Sequence, residues 1–469
     1  MSQPFPENPF FAGNYAPVSF EADAPDLPVR GELPKDLFGT LYRNGPNPQF
    51  APRDQNHHWF VGDGMIHAFH ISDGRVSYRN RWVRTPKWEL EHDAHRALFG
   101  SWGNPATTDP SAQGKDSGVA NTNVVWHAGR LFALEEGHRP FALDPTTLAA
   151  QGYWDFHGGF KGARFTAHPK IEPETGEMVF FAYSAGGRFS PTLGYGVIDK
   201  SGRLARFDLF DAPYASMVHD FMVTRNHVLF PVLPLTGSME RAMSGKPAFA
   251  WEPSKRAYVG VMRRDADVSS VRWFECDPCY VFHPMNAYED GDKIIGDVMQ
   301  YDAAPLFPDP DGRPGDPEKA VASLTRWTFD LTANTNSFKR EQIDDLAGEF
   351  PRFDERRAGL GYRHGYFAAS SGRGIVSSLD TLARIDHKTN TRSTYQLPHG
   401  DAVSEPIFVP RGAGSPEGEG YLIATIYRGA ENRSDLAVFN AAELEQGPIA
   451  IAELAHRVPF GFHGNWLPA

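Results

Sequence analysis

The sequence predicts an all-β chain built as a radial repeat of short antiparallel hairpins, a β-propeller. Three observations carry this. Helical signatures are scarce, the clearest being the short "SMERAMSG" from Ser238 to Gly245. Gly and Pro, 45 and 38 of the 469 residues, interrupt the chain too often for long 3.6-residue apolar stripes. A strand, a polar turn and a second strand recur along the whole length, as in repeat architectures.

The hairpins follow in chain order as "NVVWHAGRLFALEEG", "KIEPETGEMVFFAY", "YGVIDKSGRLARFDLF", "DFMVTRNHVLFPVL", "AYEDGDKIIGDVM" and "LARIDHKTNTRSTYQL". Each pairs alternating, β-branched or aromatic runs with turn formers between them. A smaller signature recurs as well. An apolar residue and an aspartate precede a polar turn in "LDPTTL", "IDKSGR", "FDLTANTNS" and "IDHKTNT", at Asp144, Asp199, Asp330 and Asp386. The protein is expected to be one domain, residues 1–469, because a propeller holds this length without a second core. Tandem β-sandwiches are the alternative, but no linker separates two halves. "DPDGRPGDPEKA", Asp309 to Ala320, reads as a surface loop.

A formal charge of −12 points away from nucleic acid, whose binders carry a basic face. The 2 cysteines, Cys276 and Cys279 in "ECDPCY", exclude a disulfide framework and read as incidental thiols. The N-terminal stretch lacks a basic segment followed by an apolar one, so no signal peptide is expected. No apolar stretch reaches the roughly 18 residues of a membrane-spanning helix. A cytoplasmic protein is the expectation, with peripheral membrane contact left open.

Of 18 histidines, four stand at the edges of apolar strand-like runs: His168 in "FTAHPKIEP", His219 in "SMVHDFMVTRN", His283 in "YVFHPMNAYEDG" and His463 in "FGFHGNW". Their wide separation suits ligands drawn from different blades and is unlike the local spacing of H-E-x-x-H. Neutral imidazole suits iron, zinc, copper and nickel. Metal-bound histidines usually donate their second N–H to a carboxylate or carbonyl, so buried acids should accompany them. Candidates in apolar settings are Glu136 in "FALEEGHRPF", Glu349 in "LAGEFPRF" and Glu405 in "VSEPIFVPR".

These residues, with "GTLYRNGPNP", "HHWFVGDGMIHAF", "TAHPK", "MVHDF", "VFHPMNAYE", "EFPRFD" and "SEPIFVPR", are those by which the sequence resembles the carotenoid cleavage oxygenase family. That family includes lignostilbene dioxygenases, isoeugenol-type oxygenases and the retinoid isomerohydrolase. The resemblance runs nearly end to end. It implies a seven-bladed β-propeller with a lid of loops and short helices over an axial Fe(II). It further implies that His168, His219, His283 and His463 hold the iron, and that Glu136, Glu349 and Glu405 orient His219, His283 and His463. His168 has no such partner in the family pattern. "LEEG" offers both Glu135 and Glu136; the family places its acid eight residues before the Asp of "LDP", which selects Glu136. His364, in "GYRHGY", matches no ligand position and reads as structural.

The implied chemistry is cleavage of an electron-rich conjugated C=C bond by O2 to two carbonyls, with no cosubstrate. Relatives that cleave phenolic alkenes carry a Tyr in "FG-x-Y-x-N-P" and a Lys before the first of the three acids. Here those places hold Trp102, in "FGSWGNP", and Glu135. Both departures favour an apolar polyene, a carotenoid or apocarotenoid, with stilbenoid or phenylpropenoid alkenes as the alternative. Phe60, in "HHWFVGDG", matches a position that can line the substrate cleft. Two further readings, a non-oxidative isomerohydrolase and a metal-free scaffold, differ from this one in O2 uptake and in iron content. A serine hydrolase is disfavoured because no G-x-S-x-G elbow is present.

Overall fold

The apolar–Asp signature is one local device used four times. Asp144 Oδ1 accepts the Thr146 and Thr147 amides at 3.0 and 2.7 Å. Asp199 Oδ1 accepts Ser201 N and Arg203 N at 2.9 and 3.0 Å. Asp330 takes Thr332 N and Ala333 N, and Asp386 takes Lys388 N and Thr389 N. In each case the carboxylate folds over its own turn and satisfies amides that the ladder has left. All four turns join the third strand of a sheet to the fourth. The sheet containing Arg433–Asn440 uses Asn440 at the same place, where Oδ1 accepts Ala442 N at 3.1 Å.

The fold, in a computed structural model that describes residues 4–53, 57–100, 102–371 and 379–469, is all-β. Among those residues seven antiparallel sheets of four to six strands form the blades of a β-propeller. A further two-stranded ribbon, Leu235–Gly237 with Phe249–Trp251, brackets the short helix Met239–Met243 expected from "SMERAMSG". No helix among the described residues is long and apolar enough to cross a membrane.

The fold divides into two compact units. The first, Met1–Asp155 with Tyr395–Ala469, holds three sheets, two of which join the beginning of the sequence to its end. Gly464–Pro468 pairs with Gly39–Arg43, and Val29–Gly31 pairs with Ala450–Ala452. Buried Leu41, Phe69, Ile71, Ile423, Leu436 and Val438 form a core under these strands, with Trp466 packed against it. The second unit, Phe156–Thr394, holds the four sheets that begin at Lys170, Met222, Tyr280 and Gly348. Cys276 and Cys279 are free, buried thiols between the second and third of these.

Candidate metal centre

Three histidines of the second unit stand at the head of the first strands of successive sheets. His168 precedes Lys170–Ile171, His219 precedes Met222–Val223, and His283 lies within Tyr280–Asp290. Around His283 the register slips twice, between Val281 and Pro284 and between Pro284 and Asn286. Bulges of this kind re-aim a side chain out of the regular alternation. The Nε2 atoms of His168 and His219 lie 3.1 Å apart, as do those of His219 and His283. Two imidazoles bound at right angles about one ion, with bonds of ~2.1 Å, would place their nitrogens about 3 Å apart.

The acids occupy the opposite ring nitrogens. Glu349 Oε2 lies 2.5 Å from His283 Nδ1, and its Oε1 accepts the Tyr301 hydroxyl at 3.0 Å. The strand slips register between Glu349 and Arg352, and Phe350 sits at φ 55° with its ring stacked on His283 at 5.5 Å. In the first unit Glu405 Oε1 lies 2.9 Å from His463 Nδ1, while Oε2 accepts the Gly464 amide at 2.8 Å. A carboxylate on Nδ1 selects the tautomer with its proton there, and the Nε2 lone pair is left for a cation. Tyr301 is held well above its ordinary pKa by burial and by the charge of Glu349 beside it.

His463 is fixed by backbone as well. Its carbonyl accepts Asn44 N at 2.8 Å and its amide donates to Thr122 O at 3.2 Å. The glycines beside it are required by close approach. A Cβ on Gly461 would lie 2.7 Å from Asn44 O, and one on Gly464 would lie 2.5 Å from Tyr42 O.

His168, His219, His283 and His463 are 4 to 8 % exposed, and within the second unit one ligand nitrogen from each of His168, His219 and His283 lies within 4.8 Å of the others. Three buried neutral bases with converging lone pairs, one of them backed by a carboxylate, fit a divalent transition metal, and His463 with Glu405 is a fourth base of the same kind in the first unit. These are the histidines that the sequence singles out. Glu136 lies in the turn after Arg130–Leu134, half-buried.

The sequence missed Asp220 and Tyr301. Asp220 Oδ2 lies 3.7 Å from His168 Nδ1, so the one histidine without an acid in the family pattern does face a buried carboxylate. The only sequence signal for it was adjacency to His219.

The expected substrate residues divide. Phe60 and Trp102 come together, their ring centroids 5.9 Å apart, with His58 against Trp102 at 5.0 Å. Phe60 and Trp59 both meet Phe462, the neighbour of His463, at 5.4 and 4.5 Å. Three residues after Phe60, Asp63 enters a buried ionic cluster. Lys87 Nζ lies 2.7 Å from both Asp63 and Glu91, and Glu91 also accepts the Leu98 and Phe99 amides. Glu135 turns elsewhere. Its Oε1 accepts the Val119 and Ala120 amides at 2.7 and 3.3 Å and lies 3.0 Å from His138 Nδ1. Burial opposes its charge, but His138 and the two amides outweigh this and keep its pKa below the ordinary value.

The family model described as "Retinal pigment epithelial membrane protein" matches residues 15–468. An isoeugenol monooxygenase of Pseudomonas nitroreducens is 38% identical over 98% of this protein and 98% of its own length. Among solved structures, the lignostilbene dioxygenase of Pseudomonas brassicacearum is 36% identical over 100% of both proteins, with a TM-score of 0.96. A variant of the Synechocystis apocarotenoid oxygenase is 30% identical over 97% of this protein and 98% of its own length, with a TM-score of 0.86.

Proposed function

The protein belongs to the carotenoid cleavage oxygenase family and is an alkene-cleaving oxygenase; from that premise we propose that it is Fe(II)-dependent and cleaves the exocyclic C=C bond of an aryl alkene, phenylpropenoid or stilbenoid, to two carbonyls. The observation that carries the substrate class is the likeness to the isoeugenol and lignostilbene enzymes over the whole length, against the lower likeness to the apocarotenoid enzyme. This reverses the order in which the sequence ranked the substrates, since the departures at Trp102 and Glu135 favoured a polyene. The Glu135 contacts weaken the case made from its charge. Its carboxylate is occupied by His138 and two amides, so its sign bears less on a phenol than the sequence suggests. Trp102 still supports the polyene as the second reading.

In this reading His168, His219, His283 and His463 hold the iron through Nε2. Glu349 and Glu405 keep the Nδ1 protons of His283 and His463 in place, and Glu136 does so for His219. Bound Fe(II) would supply open positions for O2 and the redox chemistry by which both oxygen atoms end on the two cleaved carbons. Phe60, Trp102 and Phe462 form the wall against which a planar alkene lies, and they exclude water from it. Anaerobic loading with Fe(II), then aerobic incubation with isoeugenol, resveratrol, an apocarotenal and a carotenoid, tests this. Aromatic aldehydes are expected from the first two. Cleavage of the polyenes alone would overturn the aryl-alkene reading.

A further inference from the structure

Two short stretches each carry a metal-directed imidazole together with a charge. In "HPK" His168 is followed by Lys170; in "HD" His219 is followed by Asp220. The two charges meet. Lys170 Nζ lies 2.7 Å from Asp220 Oδ1 and donates to Oδ2 at 3.0 Å. Asp220 also accepts its neighbour's amide, Phe221 N, at 2.6 Å, and its side chain is 4 % exposed. The lysine ammonium lies 5.8 Å from the Phe221 ring centroid. The same oxygen, Oδ2, stands 3.7 Å from His168 Nδ1, while His168 Nε2 faces His219 Nε2.

We propose that the Lys170–Asp220 ion pair is a cross-brace between the two ligand-bearing segments. It sets the separation of His168 and His219 and turns the Nδ1–H of His168 toward a carboxylate, which leaves Nε2 for the metal. Both are positioning residues, and the inference rests on the four-histidine reading of the site. A separation of 3.7 Å is too long for a hydrogen bond, so the hold on His168 is electrostatic, a charge acting on a ring dipole across a buried gap. Lys170 already offsets much of that charge. His168 is therefore the ligand least strengthened by its acid, in contrast to His283 and His463, whose glutamates are at contact distance. Stability alone does not account for the pair. Asp220 is buried and Lys170 partly so, and an ion pair of this kind can often be replaced by apolar side chains at little cost to the fold. What such a replacement cannot keep is a carboxylate locked by Lys170 and the Phe221 amide beside a ring nitrogen.

The test is a competitive Co(II) titration of metal-stripped protein, read by the visible ligand-field bands and by melting of the metal-free form. Asp220→Asn is expected to bind Co(II) severalfold more weakly, short of the about 10- to 100-fold that a hydrogen-bonded acid is worth, with shifted bands. Lys170→Arg keeps charge and donors and should stay near the parent. The double variant Lys170→Met/Asp220→Leu should melt near the parent when metal-free yet bind as weakly as Asp220→Asn. It also decides the matter if Asp220→Asn fails to fold. Parent affinity and parent bands in a folded variant that lacks the Asp220 carboxylate would overturn the proposal. A parent protein that binds no metal would instead sink the four-histidine reading.

Discussion

Glu349 shows how much one residue is made to do at this site. Its Oε2 meets His283 Nδ1 and the Phe350 amide, and its Oε1 meets the Tyr301 hydroxyl. Two departures from regular strand geometry accompany these contacts: the slip after Glu349 and the left-handed backbone at Phe350. Such outliers persist where surrounding contacts over-determine them. Glu349→Gln keeps the size and can still accept from Nδ1–H, but it removes the charge that raises the basicity of His283. We expect metal affinity to fall about 10- to 100-fold. Tyr301→Phe should have a smaller effect, since it removes one donor and leaves the carboxylate on His283. Titration of each metal-free variant with Fe(II) under anaerobic competition checks the order; equal affinities would show that Glu349 acts through packing alone.

At the scale of elements, the strand Gly64–Ser72 carries a buried titratable group that the metal chemistry does not use. His67 is 4 % exposed, with Nδ1 2.8 Å from the Tyr78 hydroxyl on the neighbouring strand. Burial, then the nearby His456 and Arg43, push its pKa down from 6.5 to about 3. Because the folded value lies below the unfolded one, the unfolded protein takes up the proton first as the pH falls. The stability contributed by neutral His67 is therefore complete above about pH 6.5 and drains away between there and about pH 3. Urea midpoints measured across that window should fall with acidification in the parent. In His67→Gln, which keeps a polar group and has no proton to gain, the slope should be shallower. The parallel change of both proteins would place the acid sensitivity elsewhere.

For the whole molecule, the parts legible in the sequence were those written locally. Hairpins, the aspartate-closed turns and the four histidines each depend on a few neighbouring residues, and Glu349 and Glu405 stood out by apolar settings. What escaped depends on contacts between distant segments. Asp220 reaches His168 from the segment that carries His219, and Trp59 meets Phe10, Tyr15 and Phe462, all far from it in the sequence. Asn440 does the work of an aspartate in its blade, so a pattern built on Asp passed over it. The charge of Glu135 is visible in the sequence, but its partners, Val119, Ala120 and His138, are not. The C-terminal segment joins both classes of information. "FGFHGNW" announces a histidine between glycines, and the fold makes the following residues an edge strand on Gly39–Arg43, with Asn465 donating to Val124 O at 2.9 Å. Ending the protein after Phe462 removes His463, strips the Gly464 amide from Glu405 and exposes the ladder of Gly39–Arg43. Ending it after Leu467 removes only Pro468 and Ala469, whose amide bonds Phe38 O at 3.3 Å. The shorter form should lose stoichiometric metal, and its melting temperature should no longer respond to chelation. The longer one should keep its metal and melt lower when chelator removes the ion, because a ligand bound only by the folded state at about 100 times its Kd adds about 2.7 kcal/mol. Metal content and chelator-dependent melts of the two truncations decide it: stoichiometric metal in the form that stops at Phe462 would remove His463 from the ligand set.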